Sequence, residues 1–217
     1  MNNSTLKPVV ILGGGGHASV LVDILRAQGR KIKAIVCPDS IAQRGIFAGI
    51  LHLKQDDDVL MFSTSDVLLV NGIGMLPKSS LKRKVNEYFL NLGYQFETVV
   101  SDDAFVSPFA KLSPGSQVFS GAIIQAGATV GEHCIINSGS IVEHDCSIGV
   151  YNHIAPGATL CGQVVTEDDV YVGANATVIQ NVKLAQGSIV GAGSVVTQSL
   201  LSKQVCYPNL NTIKGKA

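Results

Sequence analysis

From Val106 to Val196 the chain repeats in sixes. Positions 106, 112, 118, 124, 130, 136, 142, 148, 154, 160, 166, 172, 178, 184, 190 and 196 are Val, Leu, Val, Ile, Val, Ile, Val, Ile, Ile, Leu, Thr, Val, Val, Leu, Val and Val. Only Thr166 is not aliphatic. Four places after each, the residue is mostly small: Ala110, Ser116, Ala122, Ala128, Cys134, Ser140, Cys146, Ala158, Ala176, Ser188. Glycines are interspersed at 115, 121, 127, 139, 157, 187 and 193. An α-helix turns every 3.6 residues and would carry such a stripe around its cylinder, and a hairpin sheet would alternate with period two. A period of six fits a prism of short flat strands, each followed by a corner, with one aliphatic side chain pointing inward per face. Three faces make a coil of eighteen residues, so sixteen hexads predict about five coils.

Before residue 100 the pattern differs. Val9-Val10-Ile11-Leu12 is a buried-strand run that enters four consecutive glycines. Residues 17–28 carry Val20, Leu21, Ile24 and Leu25 at helical spacing, and Gly29 closes them. Ile32 to Cys37 reads as a second strand and Val67 to Val70 as another. Leu81, Val85, Phe89 and Leu92 mark an amphipathic helix that stops at Gly93. A β-α-β order of this kind predicts a small α/β domain with a parallel sheet. The chain therefore divides into residues 1–100, a small α/β domain, and residues 101–217, a prism of hexapeptide repeats.

Composition narrows the function class. Sixteen acidic and sixteen basic residues balance, so no global field favours nucleic acid or an anionic membrane. No apolar stretch approaches the ~20 residues that span a bilayer, and no signal-peptide pattern opens the chain. A cytoplasmic protein without membrane insertion is expected. Five cysteines with no CxxC pair argue for reduced thiols rather than a disulfide framework or structural zinc. Twenty-three glycines, 6% aromatics and no tryptophan suit a repetitive backbone with small side chains.

The hexads, together with Val9-Val10-Ile-Leu-Gly-Gly-Gly-Gly-His17-Ala18 and Ser140-Ile-Val-Glu-His-Asp-Cys-Ser-Ile-Gly-Val-Tyr-Asn-His153, resemble the hexapeptide-repeat sugar O- and N-acyltransferases of the NeuD/PglD type. The resemblance covers nearly the whole chain. The C-terminus departs from it, since relatives commonly end in Gly-x-Pro-Ala-Lys where this chain has Cys206-Tyr-Pro-Asn-Leu-Asn, around the adenine end of the cofactor. Membership implies a homotrimer, acetyl-CoA as co-substrate in the crevice between neighbouring columns, and a nucleotide-sugar amine or hydroxyl as acceptor. The fold it implies is a Rossmann-like half domain followed by a left-handed parallel β-helix of hexapeptide repeats; no metal and no nucleic-acid partner are expected.

Acetyl transfer to an amine needs a base for the departing proton and a donor for the thioester oxyanion. His144 is the candidate base, and Asp145 follows it where relatives carry an acid that fixes the imidazole tautomer. Glu143 is a competing partner, and the plain alternative is a solvated corner histidine. Gly162 stands eighteen residues after His144, one coil above it, where a bare backbone N–H could meet the oxyanion; an ordinary corner glycine is the alternative. His153 resembles the family's acetyl-CoA-binding histidine. Ala174 and Ala192, eighteen apart, match places where relatives offer backbone to the pantetheine arm. His133 is expected to be structural or solvent-exposed, and His52 to lie in a polar loop.

The glycine turn has two readings. Gly13, Gly15 and Ala18 satisfy G-x-G-x-x-A between strand and helix, with Asp39 closing the next strand, which suits a dinucleotide. A single short α/β unit is too little for a two-lobed fold. The alternative is a half-site holding UDP-sugar phosphates on the helix N-terminus, and the resemblance supports it, with Gly15, Gly16, His17, Asp39 and Gly74 as contacts. Pro38 stands where relatives pair a second acid with Asp39. The function expected is N-acetylation of a UDP-linked 4-amino-4,6-dideoxy sugar in glycan biosynthesis. Competing classes are O-acetylation of sialic acid or a related sugar, a γ-carbonic-anhydrase-like metalloenzyme using His133, His144 and His153, and a nucleotide-sensing scaffold without catalysis.

Overall fold

The structure, a computed structural model, describes residues 6–208. The last residues of the atypical C-terminal segment, 209–217, lie outside the described residues.

The N-terminal part is a four-stranded parallel sheet. Its strands are β1 (Val9–Leu12), β2 (Ile32–Val36), β3 (Leu51–Leu53) and β4 (Leu68–Asn71), in the order β3-β2-β1-β4. The chain order β1-β2-β3 runs outward on one side and β4 returns to the other, so the sheet reverses direction beside β1. That is where α/β sheets hold ligands at their carboxyl ends. Helix α1 (Gly16–Ala27) buries Ala18, Leu21, Val22, Ile24 and Leu25, the helical spacing read from the sequence. Helix α2 (Leu81–Asn91) differs from expectation. Phe89 is buried, but Leu81 and Leu92 are exposed while Lys82 and Asn86 are buried. Its polar face meets hydrogen-bonding partners at the end of β4 through Lys82 and Asn86, and on the column through Arg83, so the apolar stripe alone does not define its inner side.

β3 was not anticipated. Leu51-His52-Leu53 is too short to show a period, and it forms because β2 offers a free edge. The expectation of His52 in a loop is thereby corrected: it lies in β3, and its Nε2 is 2.8 Å from the Cys37 carbonyl.

The rest of the chain is the prism. Face I stacks Val99–Val100, Gln117–Val118, Ile135–Ile136, His153–Ile154, Tyr171–Val172, Ile189–Val190 and Val205–Cys206. Face II stacks Phe105–Val106, Ile123–Ile124, Ile141–Val142, Thr159–Leu160, Thr177–Val178 and Val195–Val196. Face III stacks Lys111–Leu112, Thr129–Val130, Ser147–Ile148, Val165–Thr166 and Lys183–Leu184. All neighbours are parallel and, up to Val196, paired eighteen residues apart, as in His153↔Tyr171 and Ile141↔Thr159. The inward positions from Val118 to Val196 are all buried. Thr166 fits because its hydroxyl oxygen accepts from Asn152 Nδ2 at 2.9 Å. Past Val196 the register breaks: Leu200 bridges Leu184, and Val205–Cys206 caps Ile189–Val190.

Each corner needs one residue with positive φ. From 115 to 193 every sixth residue has it, glycine at some corners and His133, Asp145, Tyr151, Gln163, Asp169, Asn175 and Asn181 at the others. A side chain in this conformation carries a steric cost that glycine avoids. The non-glycine corners are grouped by edge. Asp145, Gln163 and Asn181 climb the edge between faces II and III, and His133, Tyr151 and Asp169 climb the edge between III and I.

The α/β part sits on face I. The outward residues Val99, Gln117, Ile135 and His153 are buried beneath it. Arg83 of α2 reaches the III/I edge, donating to Asp169 Oδ1 at 2.7 Å and lying 4.0 Å over the Tyr151 ring. His133 stacks beside Tyr151 and meets Phe96 edge-on. It is buried, which resolves its expected structural-or-exposed position in favour of the interior.

Candidate active site

His144 stands on the II/III edge, opposite the face that carries the α/β part. Val142 anchors its hexad in the core, and the corner turns the next residues outward. The side chains of His144 and Asp145 are 59% and 58% exposed. His144 Nδ1 is 2.9 Å from Asp145 Oδ2. A carboxylate can only accept, so Nδ1 carries the hydrogen and Nε2 keeps its lone pair. Glu143 does not compete for the ring; its carboxylate accepts from the His144 backbone N–H at 3.4 Å. Gly162 lies directly above. A Cβ there would come within 2.6 Å of both Cε1 and Nε2 of His144. The imidazole is therefore seated on the bare Gly162 backbone, whose N–H makes no hydrogen bond among the described residues. A free basic nitrogen beside an unpaired backbone donor can accept a proton and steady an oxyanion.

The second cluster lies under the α/β part. A groove of about 510 Å³ is lined by Gly13–His17, the loop Gly72–Leu76, His153 and Tyr171. A Cβ at Gly15 or Gly16 would meet nothing within 4 Å, so the turn faces open space, and no side chain caps α1. Uncapped N–H groups at a helix N-terminus are of the kind that can hold an anion. Gly74 lies across from it, 3.5 Å from His17 Cβ by the same measure. A neighbouring hollow of about 400 Å³ is lined by Gly14, Gly15, Cys37, Asp39, Ser40, Gln43 and Arg44. Asp39 thus belongs to the hollow beyond the glycine turn.

The histidines of this groove are neutral by burial. His17 Nε2 is 2.7 Å from Gln117 Oε1, and Gln117 Nε2 donates to the Asn71 carbonyl at 2.8 Å. That second bond orients the amide, so His17 donates through Nε2 and keeps Nδ1 as its basic atom. Burial, followed by the Lys82 charge, lowers its pKa to about 3. His153 donates from Nδ1 to the Met75 carbonyl at 2.9 Å and accepts from Asn137 Nδ2 at 3.0 Å. Burial lowers its pKa to about 4. Both ring nitrogens are engaged within the chain, so a ligand in the groove meets His153 through its ring. Burial likewise holds His133 near 4.

Apart from Asp39 in its separate hollow, the residues predicted from sequence fall at three places. His144, Asp145 and Gly162 share the II/III edge. Ala174 and Ala192 lie on the I/II edge, across face II from His144. Gly15, Gly16, His17, Gly74 and His153 gather on face I. His133, His144 and His153 occupy two edges and a face and do not converge within the chain. Sequence reasoning missed Asn71, Lys82 and Gln117, the buried polar groups behind the groove. Gln117 was visible as a polar residue at an outward position, but nothing marked that position as covered.

Comparison with known proteins follows this division. The PglD N-terminal domain family matches residues 8–89, and the bacterial transferase hexapeptide (six repeats) family matches residues 163–198. A GDP-perosamine N-acetyltransferase of Escherichia coli O157:H7 is 31% identical over 54% of this chain and 53% of its own length. The match thus spans about half the length of that curated relative, and about a quarter of the bifunctional protein GlmU of Saccharophagus degradans. The structure of PerB from Caulobacter crescentus in complex with CoA and GDP-perosamine is 32% identical, with a TM-score of 0.82 over 93% of this chain and 94% of that one. The acetyltransferase domain of PglB from Neisseria gonorrhoeae is 25% identical, with a TM-score of 0.80 over 92% and 96%.

Proposed function

The chain belongs to the hexapeptide-repeat sugar acetyltransferases of the PglD type, a Rossmann-like parallel sheet followed by a left-handed parallel β-helix, and we propose that it transfers an acetyl group from acetyl-CoA to the amine of a nucleotide-linked amino sugar. The observation that carries the reading is the His144–Asp145 pair seated on Gly162, with Nε2 free. The neutral amine attacks the thioester carbonyl and forms a C–N bond. The oxyanion of the tetrahedral intermediate takes the Gly162 N–H, His144 Nε2 accepts the proton lost by nitrogen, and the C–S bond breaks to release the CoA thiolate. Asp145 holds the tautomer that this step requires. No covalent enzyme intermediate is needed.

The acceptor would lie in the face I groove, with its diphosphate on Gly15 and Gly16 at the α1 terminus, Asp39 toward the nucleoside, and His17 and Gly74 beside the phosphates or sugar. That groove and His144 are on opposite sides of one column, so the site would be completed between subunits. The outward residues of face II support a subunit contact there: Phe105, Ile123, Ile141, Thr159, Thr177 and Val195, against Lys111, Thr129, Ser147, Val165 and Lys183 on face III. A homotrimer that buries face II would set the I/II edge, with Ala174 and Ala192, and the II/III edge, with His144, against neighbouring chains, where the acetyl-CoA arm would run. His153 would wall the acetyl end of this crevice through its ring.

The first acceptor to test is a UDP-linked 4-amino-4,6-dideoxy sugar. A GDP-linked amino sugar is the second reading, favoured by the GDP-perosamine held by the 32%-identical relative. Thiol release from acetyl-CoA is measured with each, and with sialic acid as a hydroxyl acceptor. Turnover with one nucleotide amino sugar supports the proposal and names its base. Turnover with sialic acid alone moves the chain to O-acetylation, and silence with all three refutes the reading.

A further inference from the structure

Lys82 is the largest side chain among the fully buried residues, at 2% exposure, although it stands in the first turn of α2. Its ammonium donates to the Asn71 carbonyl at 3.1 Å and to the Ile73 carbonyl at 3.3 Å. Asn71 is the last residue of β4, and Ile73 belongs to the loop that walls the groove. The same turn is tied at other points. The Asn71 carbonyl also accepts from Gln117 Nε2, its side-chain oxygen accepts from the Ile73 N–H at 2.8 Å, and its Nδ2 donates to Asn86 Oδ1 at 2.6 Å. Gly72 leaves no room for a Cβ, which would meet Ala18 at 2.7 Å. Residues 71–73 are thus fixed from behind, and the groove opens on their other side.

No carboxylate pairs with Lys82 among the described residues. The titratable and charged groups around it are His17 from α1, His133, Cys134 and His153 from the column, and Arg83 next to it on α2. Burial keeps the three imidazoles neutral, and the Cys134 thiol is pushed up to about 12. Arg83 is already committed to Asp169. An ammonium buried among neutral groups lacks a counter-charge, and the loop it holds shares its groove with the α1 N-terminus, a setting suited to an anion.

We infer that Lys82 is a positioning residue of the groove, and that its protonation is coupled to the binding of a diphosphate-linked ligand. This rests on the nucleotide-sugar reading above. The bound dianion supplies the counter-charge that the chain does not, and the charged amine in turn polarises the carbonyls of the loop that faces the ligand. In the free protein burial lowers the Lys82 pKa to about 7. Because binding favours the charged form, affinity is highest below that value and falls as pH rises through it.

The test is calorimetric titration of the protein with UDP-N-acetylglucosamine and GDP-mannose, in buffers of different ionisation enthalpy. These diphosphate diesters have no ionisation of their own near neutrality. Binding should take up about 0.9 proton at pH 8 and about 0.1 at pH 6, and Kd should rise roughly eightfold from pH 7.5 to 8.5. The histidines contribute little at pH 8, since even an unperturbed value of 6.5 leaves them neutral there. Lys82→Met should abolish the uptake, and Lys82→Arg should bind without pH dependence. The wild-type measurement stands even where a variant fails to fold. Binding with no proton uptake at pH 8 overturns the inference alone. Failure of both nucleotide sugars to bind at any pH overturns it together with the nucleotide-sugar reading.

Discussion

Gly162→Ala isolates the geometry of the proposed base from the stability of the column. The added methyl would sit 2.6 Å from Cε1 and Nε2 of His144, against 3.4 Å or more for an ordinary contact. The imidazole must therefore withdraw by about 0.8 Å. It can do so, because its side chain is largely exposed and the Gly162 backbone is outside the left-handed region. The cost to folding is the off-rotamer histidine, about 0.5–1.5 kcal/mol, so Tm should fall by only a few degrees. The cost to chemistry is larger, since a displacement near 1 Å at the reacting atoms lowers the rate about 100-fold. The assay is thiol release at saturating acetyl-CoA and acceptor, with Tm on the same preparation. His144→Ala alone should lose more, on the order of 1,000-fold. Adding Gly162→Ala to it should cost little further, because the methyl then has no ring to displace. A Gly162→Ala rate within threefold of wild type would refute the placement of His144 on Gly162 as the working geometry. A full additional loss in the double variant would shift the role of Gly162 to the oxyanion alone.

Asp145→Ala removes the acceptor of the Nδ1–H and should lower kcat about 10-fold while leaving acetyl-CoA binding unchanged; an unaltered rate would show that the ring needs no partner. Co-expression of His144→Ala with His17→Ala should restore up to about a quarter of wild-type activity in mixed trimers, because one interface in four would pair an intact edge with an intact groove. No recovery would argue against a site shared between subunits. Arg83→Ala loses both the Asp169 bond and the Tyr151 stacking, and should destabilise by about 1–2 kcal/mol, read as earlier chemical unfolding followed by fluorescence of the tyrosines.

The column was legible because its physics is local and repeated. One aliphatic residue every sixth position fixes the inward direction, and the pairing of residues eighteen apart follows from three faces. β1, α1, β2 and β4 were legible for the ordinary reason that apolar runs and helical spacing reach a usable length. β3 was not, since Leu51-His52-Leu53 has no period and owes its conformation to β2. Corners were only half visible: glycine at 115 or 127 announces itself, whereas Tyr151 and Asp169 adopt the same conformation because the corner imposes it and Arg83 rewards it. In the site, His144, Asp145 and Gly162 could be grouped by register alone. The face I groove could not, because Lys82 and Gln117 are polar residues that a sequence places at the surface until the covering element is known.

The six-residue period also constrains where chemistry can occur. Any one edge receives a corner only every eighteen residues, so His144 and Gly162 can share an edge while His153, nine residues on, cannot share it with them. Once the α/β part occupies face I, the edge farthest from it is the II/III edge, and that is where the free imidazole stands. The proposed anion groove and the proposed base are thus held apart by the column itself, and no loop among the described residues bridges them. The apolar outward positions of face II lie beside the base, so association through that face is the arrangement that would bring a second groove to it. On the proposed reading, the exposure of His144 in one chain and the unpaired Nε2 would have one cause, an acceptor that arrives with another copy.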